Sequence, residues 1–266
     1  MRIWLLAVFL GMAFAGDAAA QAGTATQTTA ALIDSLTDID GAVVGVDGFQ
    51  IYDGFIADAR TLEFTSGVLG APPPNLSPPM RELVRRGVAV LPELIAHLDD
   101  ARPTKLVVGK DGKDFFYMFK YFGAEYDPRV RRAPYRSVCG GCVHKSFDDP
   151  YTVRVADICY VLIGQIVGRN LTAVRYQPTA GLVVNSPLEA PDIVTQLKQD
   201  WHGLTRTGFR AFLLDDVEHA PDLFRAAPAL QRLRFYFPTA YAALRGDGLG
   251  WRDKFEAHEK QRAAEH

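Results

Sequence analysis

The chain has 266 residues, a formal net charge of −2, 48% hydrophobic residues and 23% charged residues. A near-neutral balance argues against a nucleic-acid partner or an acidic membrane surface, both of which select a basic face. Three cysteines are too few for a disulfide scaffold, so a hydrophobic core must carry the fold.

The chain opens with Arg2, an apolar run over Ile3–Ala15, and small residues in A-x-A patterns ending at Ala15, Ala20 and Ala22. This reads as a secretory signal peptide over 1–22, cleaved at Ala20 or Ala22. The run is too short to span a bilayer comfortably, and no later run is long and apolar enough to predict a transmembrane helix. The expectation is a periplasmic or secreted protein with no stable membrane insertion after cleavage. No cysteine lies near the cleavage region, so the lipoprotein pattern is absent.

Residues 23–79 read as an N-terminal segment and spacer. Ala31–Asp38 suggests a short helix. Gly41–Ile56 mixes β-branched and aromatic residues with Gly and Asp, which suggests one or two short strands. The Pro- and Gly-rich stretch over 67–79 must be loop or spacer. The main globular part is expected over 80–250, followed by a charged tail over 251–266.

After the spacer, Val84, Val88, Leu91, Ile95 and Leu98 recur at intervals of three and four, the mark of one buried helix face. Gly87 and Pro92 interrupt the series. Proline in mid-helix costs about 3 kcal/mol but is welcome at the first helical position. Two short helices are therefore expected, with a break near Ala89–Leu91 and the second starting around Pro92. Lys105–Phe122 reads as a hairpin about a Lys-Asp-Gly turn. Val153–Gly168 is an apolar helix carrying Asp157 and Gln165, and residues 171–187 read as extended chain. Helices are expected over 192–201, 209–217 and 226–237, the last ended by Pro238, and 252–266 as a frayed helix or tail. The whole is α+β and helix-dominated, with a helical hairpin and a small antiparallel β component.

The cadence Leu83-Val-Arg-Arg-Gly87 followed by Val90-Leu-Pro-Glu-Leu-Ile-Ala-His-Leu-Asp-Asp100 resembles a HEAT-type helical repeat. Val153–Gly168 is similar to the first helix of such a unit. The resemblance covers 81–100 and 153–168. It implies a HEAT-like helical hairpin and a surface for protein binding or scaffolding, although fold does not fix function.

The richest chemistry lies in Cys139-Gly-Gly-Cys142-Val-His144. Covalent haem needs histidine directly after the second cysteine, and Val143 intervenes. A thioredoxin-like centre needs C-x-x-C at a helix N-terminus in a βαβ unit. Gly140-Gly141 is poor material for opening a helix, yet Arg129, Arg131, Arg132, Arg136 and Lys145 would favour thiolate. Zinc could take Cys139, Cys142 and His144, with a fourth ligand from Asp148, Asp149, His97 or His202, but no second ligand pair stands at a fixed distance. The plain alternative is a Cys139–Cys142 disulfide, whose small loop stabilises little. Cys159, beside Ile158, Leu162 and Ile166, reads as a buried core thiol.

Asp215-Asp216-Val-Glu218-His219 gathers acids and imidazole, but neighbours in sequence do not face each other on a helix, and a solvated helix end is the expectation. Arg175, Tyr176, Gln177 and Asn185 could line a pocket or satisfy backbone at a sheet edge. Gly-x-Ser-x-Gly, Gly-x-x-x-x-Gly-Lys and His-Glu-x-x-His are absent. The function expected is non-catalytic protein interaction or structural support. The alternatives are a periplasmic metal or thiol protein centred on the cysteine loop, and an enzyme without a familiar motif. A continuous exposed apolar groove along 81–100 would favour the first.

Overall fold

The structure is a computed structural model, and it describes residues 27–41, 43–44, 46, 54–58, 75–109, 150–169, 171–176, 182–184, 186–189, 191–244 and 250–265. Residues 1–26, most of the proline-rich stretch over 67–79 and the whole cysteine loop lie outside them. The described chain is α+β and helix-dominated. Its strands form two antiparallel pairs.

Helix α1 spans Thr29–Asp34 and continues as a 3-10 turn over Ser35–Asp38, where the sequence suggests one short helix. Thr28 caps it, its hydroxyl accepting from the Ala31 N–H at 3.1 Å, which satisfies one of the free amides of the first turn. Of Gly41–Ile56, expected to hold strands, the described part forms only an isolated bridge from Val43 to Asn75. Helix α2, Pro78–Arg86, begins behind the Ser77 cap with proline in its first turn. It ends at Gly87, whose φ of 64° lies in the left-handed region. A 3-10 turn over Gly87–Val90 leads into α3, Leu91–Ala96. The break that Gly87 and Pro92 predict is therefore present, with Pro92 in the first turn of α3.

Strand β1, Pro103–Val108, pairs antiparallel with β2, Tyr151–Arg154, with Val107 opposite Thr152 and an irregularity toward Pro103. Lys105–Val108 is thus a strand as expected; the second arm of the predicted hairpin lies outside the described residues. Val153 and Arg154, expected as helix, belong to β2. The helix starts only at Val155 because Asp157 reaches back and accepts from the Arg154 N–H at 2.8 Å.

Helix α4, Val155–Val167, is the centre of the fold. Every residue in it is buried except Gln165, which is partly buried. A helix apolar all round belongs in a core. It packs against α2, α3, β2 and the turns at 35–38 and 87–90. Gly168, at φ 76°, closes its C-terminus in the left-handed conformation, the preferred stop. The extended stretch that follows forms the hairpin of β3, Val174–Tyr176, and β4, Leu182–Val184.

The rest is helical: α5 (Pro191–Trp201), α6 (Arg206–Glu218), α7 (Leu223–Tyr236), α8 (Pro238–Ala243) and α9 (Trp251–Glu265). Pro238 separates α7 from α8 rather than ending helix altogether. Helix α7 packs against α6, α8 and α9, and its end carries an aromatic cluster. Phe235 and Tyr236 meet Phe55 edge-on at centroid distances of 5.3 and 5.6 Å, and Phe209 lies 5.7 Å from Tyr236. The charged segment after Trp251 is a full helix seated on α7, with Phe255 buried.

Candidate functional site

Of the residues singled out in the sequence, Cys139, Cys142, His144, Asp148, Asp149, Gln177 and Asn185 lie outside the described residues. Arg175 and Tyr176 lie in β3 opposite Val183 and Leu182. Cys159 is buried and free, as expected, and burial pushes its thiol well above the usual range. His97 ends α3 with its ring Nδ1 2.8 Å from the Glu93 carbonyl. Among the described residues, no group of three or more His, Cys, Asp or Glu side chains is placed to hold a metal.

The Asp215–His219 cluster divides in two. Asp215 faces solvent and meets His219 at 3.0 Å. Asp216 turns inward and is only 9% exposed, so the expectation of a solvated helix end fails at this residue. Its carboxylate takes both arms of the Arg169 guanidinium at 2.9 and 3.0 Å. Helical geometry separates the neighbours, since adjacent positions point about 100° apart.

The apolar face along 81–100 is spent on the protein's own core. Met80, Leu83, Val84, Val90, Leu91, Leu94, Ile95 and Leu98 are all buried. Among the described residues, the exposed large hydrophobic is Leu76. The continuous exposed apolar groove that would favour docking along this stretch is therefore absent from the described surface. What α3 offers outward is the edge of an open cleft of about 530 Å³, bordered by Pro92, Ile95 and Ala96 and, across it, by Lys198, Gln199 and His202 of α5. Pro92, Ala96, Lys198, Gln199 and His202 are exposed. The cleft combines a small apolar wall with a polar, partly cationic one.

Sequence reasoning passed over three buried polar assemblies. Gln165 accepts from the Ile56 N–H at 3.1 Å and donates to the Gly54 carbonyl at 3.2 Å. Its own carbonyl accepts from Arg232 at 3.0 and 2.8 Å, while the Arg232 guanidinium lies 4.6 Å from the Phe55 ring centre. Arg234 joins Asp58 at 3.5 Å and also pairs with Glu259. Asp157, fully buried, accepts from the Tyr151 hydroxyl and the Arg154 N–H, both at 2.8 Å. The available signal was a polar residue inside an otherwise apolar helix, which Asp157 and Gln165 both give.

Comparison of the chain with the profiles of known protein families, with characterised proteins and with solved structures finds no significant match.

Proposed function

We propose that this is a non-catalytic exported protein that engages a protein partner through its helical surface, with the α3–α5 cleft as the docking position. The observation that carries this reading is the cleft itself. It sets exposed Pro92 and Ala96 opposite exposed Lys198, Gln199 and His202. An apolar anchor flanked by polar, charged groups is the make-up of a modest interface, an apolar centre with a polar rim. The HEAT-like cadence of 83–100 supports the same reading. A photo-crosslinking residue at Gln199, in cells exporting the protein by its native route, should give a discrete protein adduct. The adduct should vanish with Ala96→Glu and be absent from the same probe at exposed Arg210 of α6. Equal labelling from both positions, or none from Gln199, rejects the cleft.

The second reading rests on the Cys139-Gly-Gly-Cys142-Val-His144 pattern, which could hold zinc or form a thiol pair. Native mass spectrometry of the exported protein distinguishes the outcomes. Zinc lost with Cys139→Ser supports a metal site; a metal-free protein with Cys139 linked to Cys142 makes the loop a structural clip.

A further inference from the structure

The carboxyl of Asp157 is fully buried at the junction of β2, α4 and the turn over Pro187–Glu189. Its Oδ2 is satisfied twice, by the Tyr151 hydroxyl and the Arg154 N–H. Its Oδ1 is buried without a hydrogen-bond partner of good geometry. Ser186, also buried, is the polar side chain beside the carboxyl, and its Oγ accepts from the Leu188 N–H at 3.3 Å. Against burial, the Ser186 hydroxyl, the Arg154 N–H and charge, and the Tyr151 hydroxyl each favour the ionised form. The Arg154 guanidinium is turned to the Ala101 carbonyl at 3.2 Å. Cys159, on the same helix, feels Asp157 together with Asp100 and Arg102.

A buried carboxylate without an ion-pair partner is costly and gains by taking a proton. A proton on Oδ1 would have a lone pair of the Ser186 hydroxyl to receive it. We propose that Asp157 is a proton-operated clasp, tying β2, the start of α4 and the Ser186–Glu189 turn together when neutral and loosening them when it ionises. Burial, the dominant influence, pushes the carboxyl above its ordinary value of 3.8. A raised acid in the folded state binds its proton more tightly there than in the unfolded chain. Its stabilising effect is complete below the unfolded value and is lost as pH rises through the folded one. The opposing expectation is an ionised carboxylate capping α4, favoured by the helix dipole, and it predicts the reverse slope.

The experiment measures urea midpoints of the full mature chain from acid to alkaline pH, for wild type, Asp157→Asn and Tyr151→Phe. The wild-type midpoint should fall relative to Asp157→Asn as pH rises, and Asp157→Asn should equal or exceed wild type at the upper end. Tyr151→Phe, which removes a donor to the ionised form, should move the wild-type drop to higher pH. A wild-type advantage that grows with pH, or a difference that does not change with pH, overturns the clasp. If Asp157→Asn does not fold, the infrared spectrum of wild type decides. A protonated-carboxyl band persisting above the ordinary aspartate value of 3.8 supports the proposal, and its absence above that value overturns it.

Discussion

The guanidinium of Arg169 lies fork to fork on the carboxylate of Asp216, at 2.9 and 3.0 Å, with side-chain exposures of 10% and 9%. Arg169 follows the glycine that ends α4, and Asp216 sits in the last turns of α6, so the pair fixes one helix end against another. Phe212, one turn before Asp216, lies under the same guanidinium at 4.6 Å. A bidentate pair is strong and directional, yet its net worth depends on the desolvation of both charges. Asp216→Leu should cost roughly 3–5 kcal/mol, because it removes the bidentate carboxylate from a buried guanidinium. The double variant Arg169→Met with Asp216→Leu should recover most of that loss. Urea denaturation of the two singles and the double gives the coupling, and a double variant as unstable as the sum of the singles contradicts the account.

Gly87 holds the junction of α2 and its following turn at φ 64°, and a Cβ there would stand 2.8 Å from Cε1 of the Tyr236 ring. Tyr236 cannot easily retreat. It is buried, and its hydroxyl donates to the Val84 carbonyl. Gly87→Ala should therefore destabilise by roughly 1–3 kcal/mol from backbone strain, with the clash adding to it. Gly203, beside which a Cβ meets nothing within 4 Å, is the control and should change stability by about 0.5 kcal/mol or less. Thermal melts of both variants test the contrast.

Periodicity made the α2–α3 pair legible, because Val84, Leu91, Ile95 and Leu98 are all buried and Pro92 is favoured in the first turn of a helix. The same rule found α4 but misplaced its start. Val153 and Arg154 contain no helix breaker, and the cap from Asp157 and the pairing with Pro103 and Thr104 (whose hydroxyl donates to the Val153 carbonyl at 2.9 Å) make them strand. The polar core was less legible. Asp216 and Asp215 look alike in sequence, and which one turns inward depends on where Arg169 arrives, a contact between positions 47 residues apart. Arg232 likewise gives no local sign that it will cover Phe55.

Gln165 illustrates how such a residue acts. It is the one residue of α4 that is not fully buried, and its amide fills both backbone positions offered by Gly54 and Ile56. Gln165→Leu keeps the volume but strands a donor and an acceptor. Each buried polar group left unpaired costs about 1–3 kcal/mol. The variant should lose roughly that much, and amide hydrogen exchange should quicken at Ile56 while Gly168, at the end of α4, stays protected. Unchanged exchange at Ile56 would mean that Phe55, packed under Arg232, holds the 54–58 segment without the clasp.

Helix α9 carries few apolar residues, which is why its sequence reads as a tail. Phe255 is nonetheless only 2% exposed, with the Arg234 guanidinium 5.2 Å from its ring centre. Arg234 also pairs with Glu259, one turn further along α9, and with Asp58. A single buried aromatic anchor, framed by ion pairs, thus attaches a polar helix to α7. Truncating a buried Phe to Ala costs about 3–5 kcal/mol where the cavity cannot collapse. At a helix end that can shift, the loss should fall toward the lower bound. Phe255→Ala should therefore lower the denaturation midpoint clearly and expose 251–265 to proteolysis, whereas substituting exposed His258 by alanine should do neither. If Phe255→Ala leaves both midpoint and cleavage unchanged, α9 contributes nothing to the core and the ion pairs of Arg234 alone keep it in place.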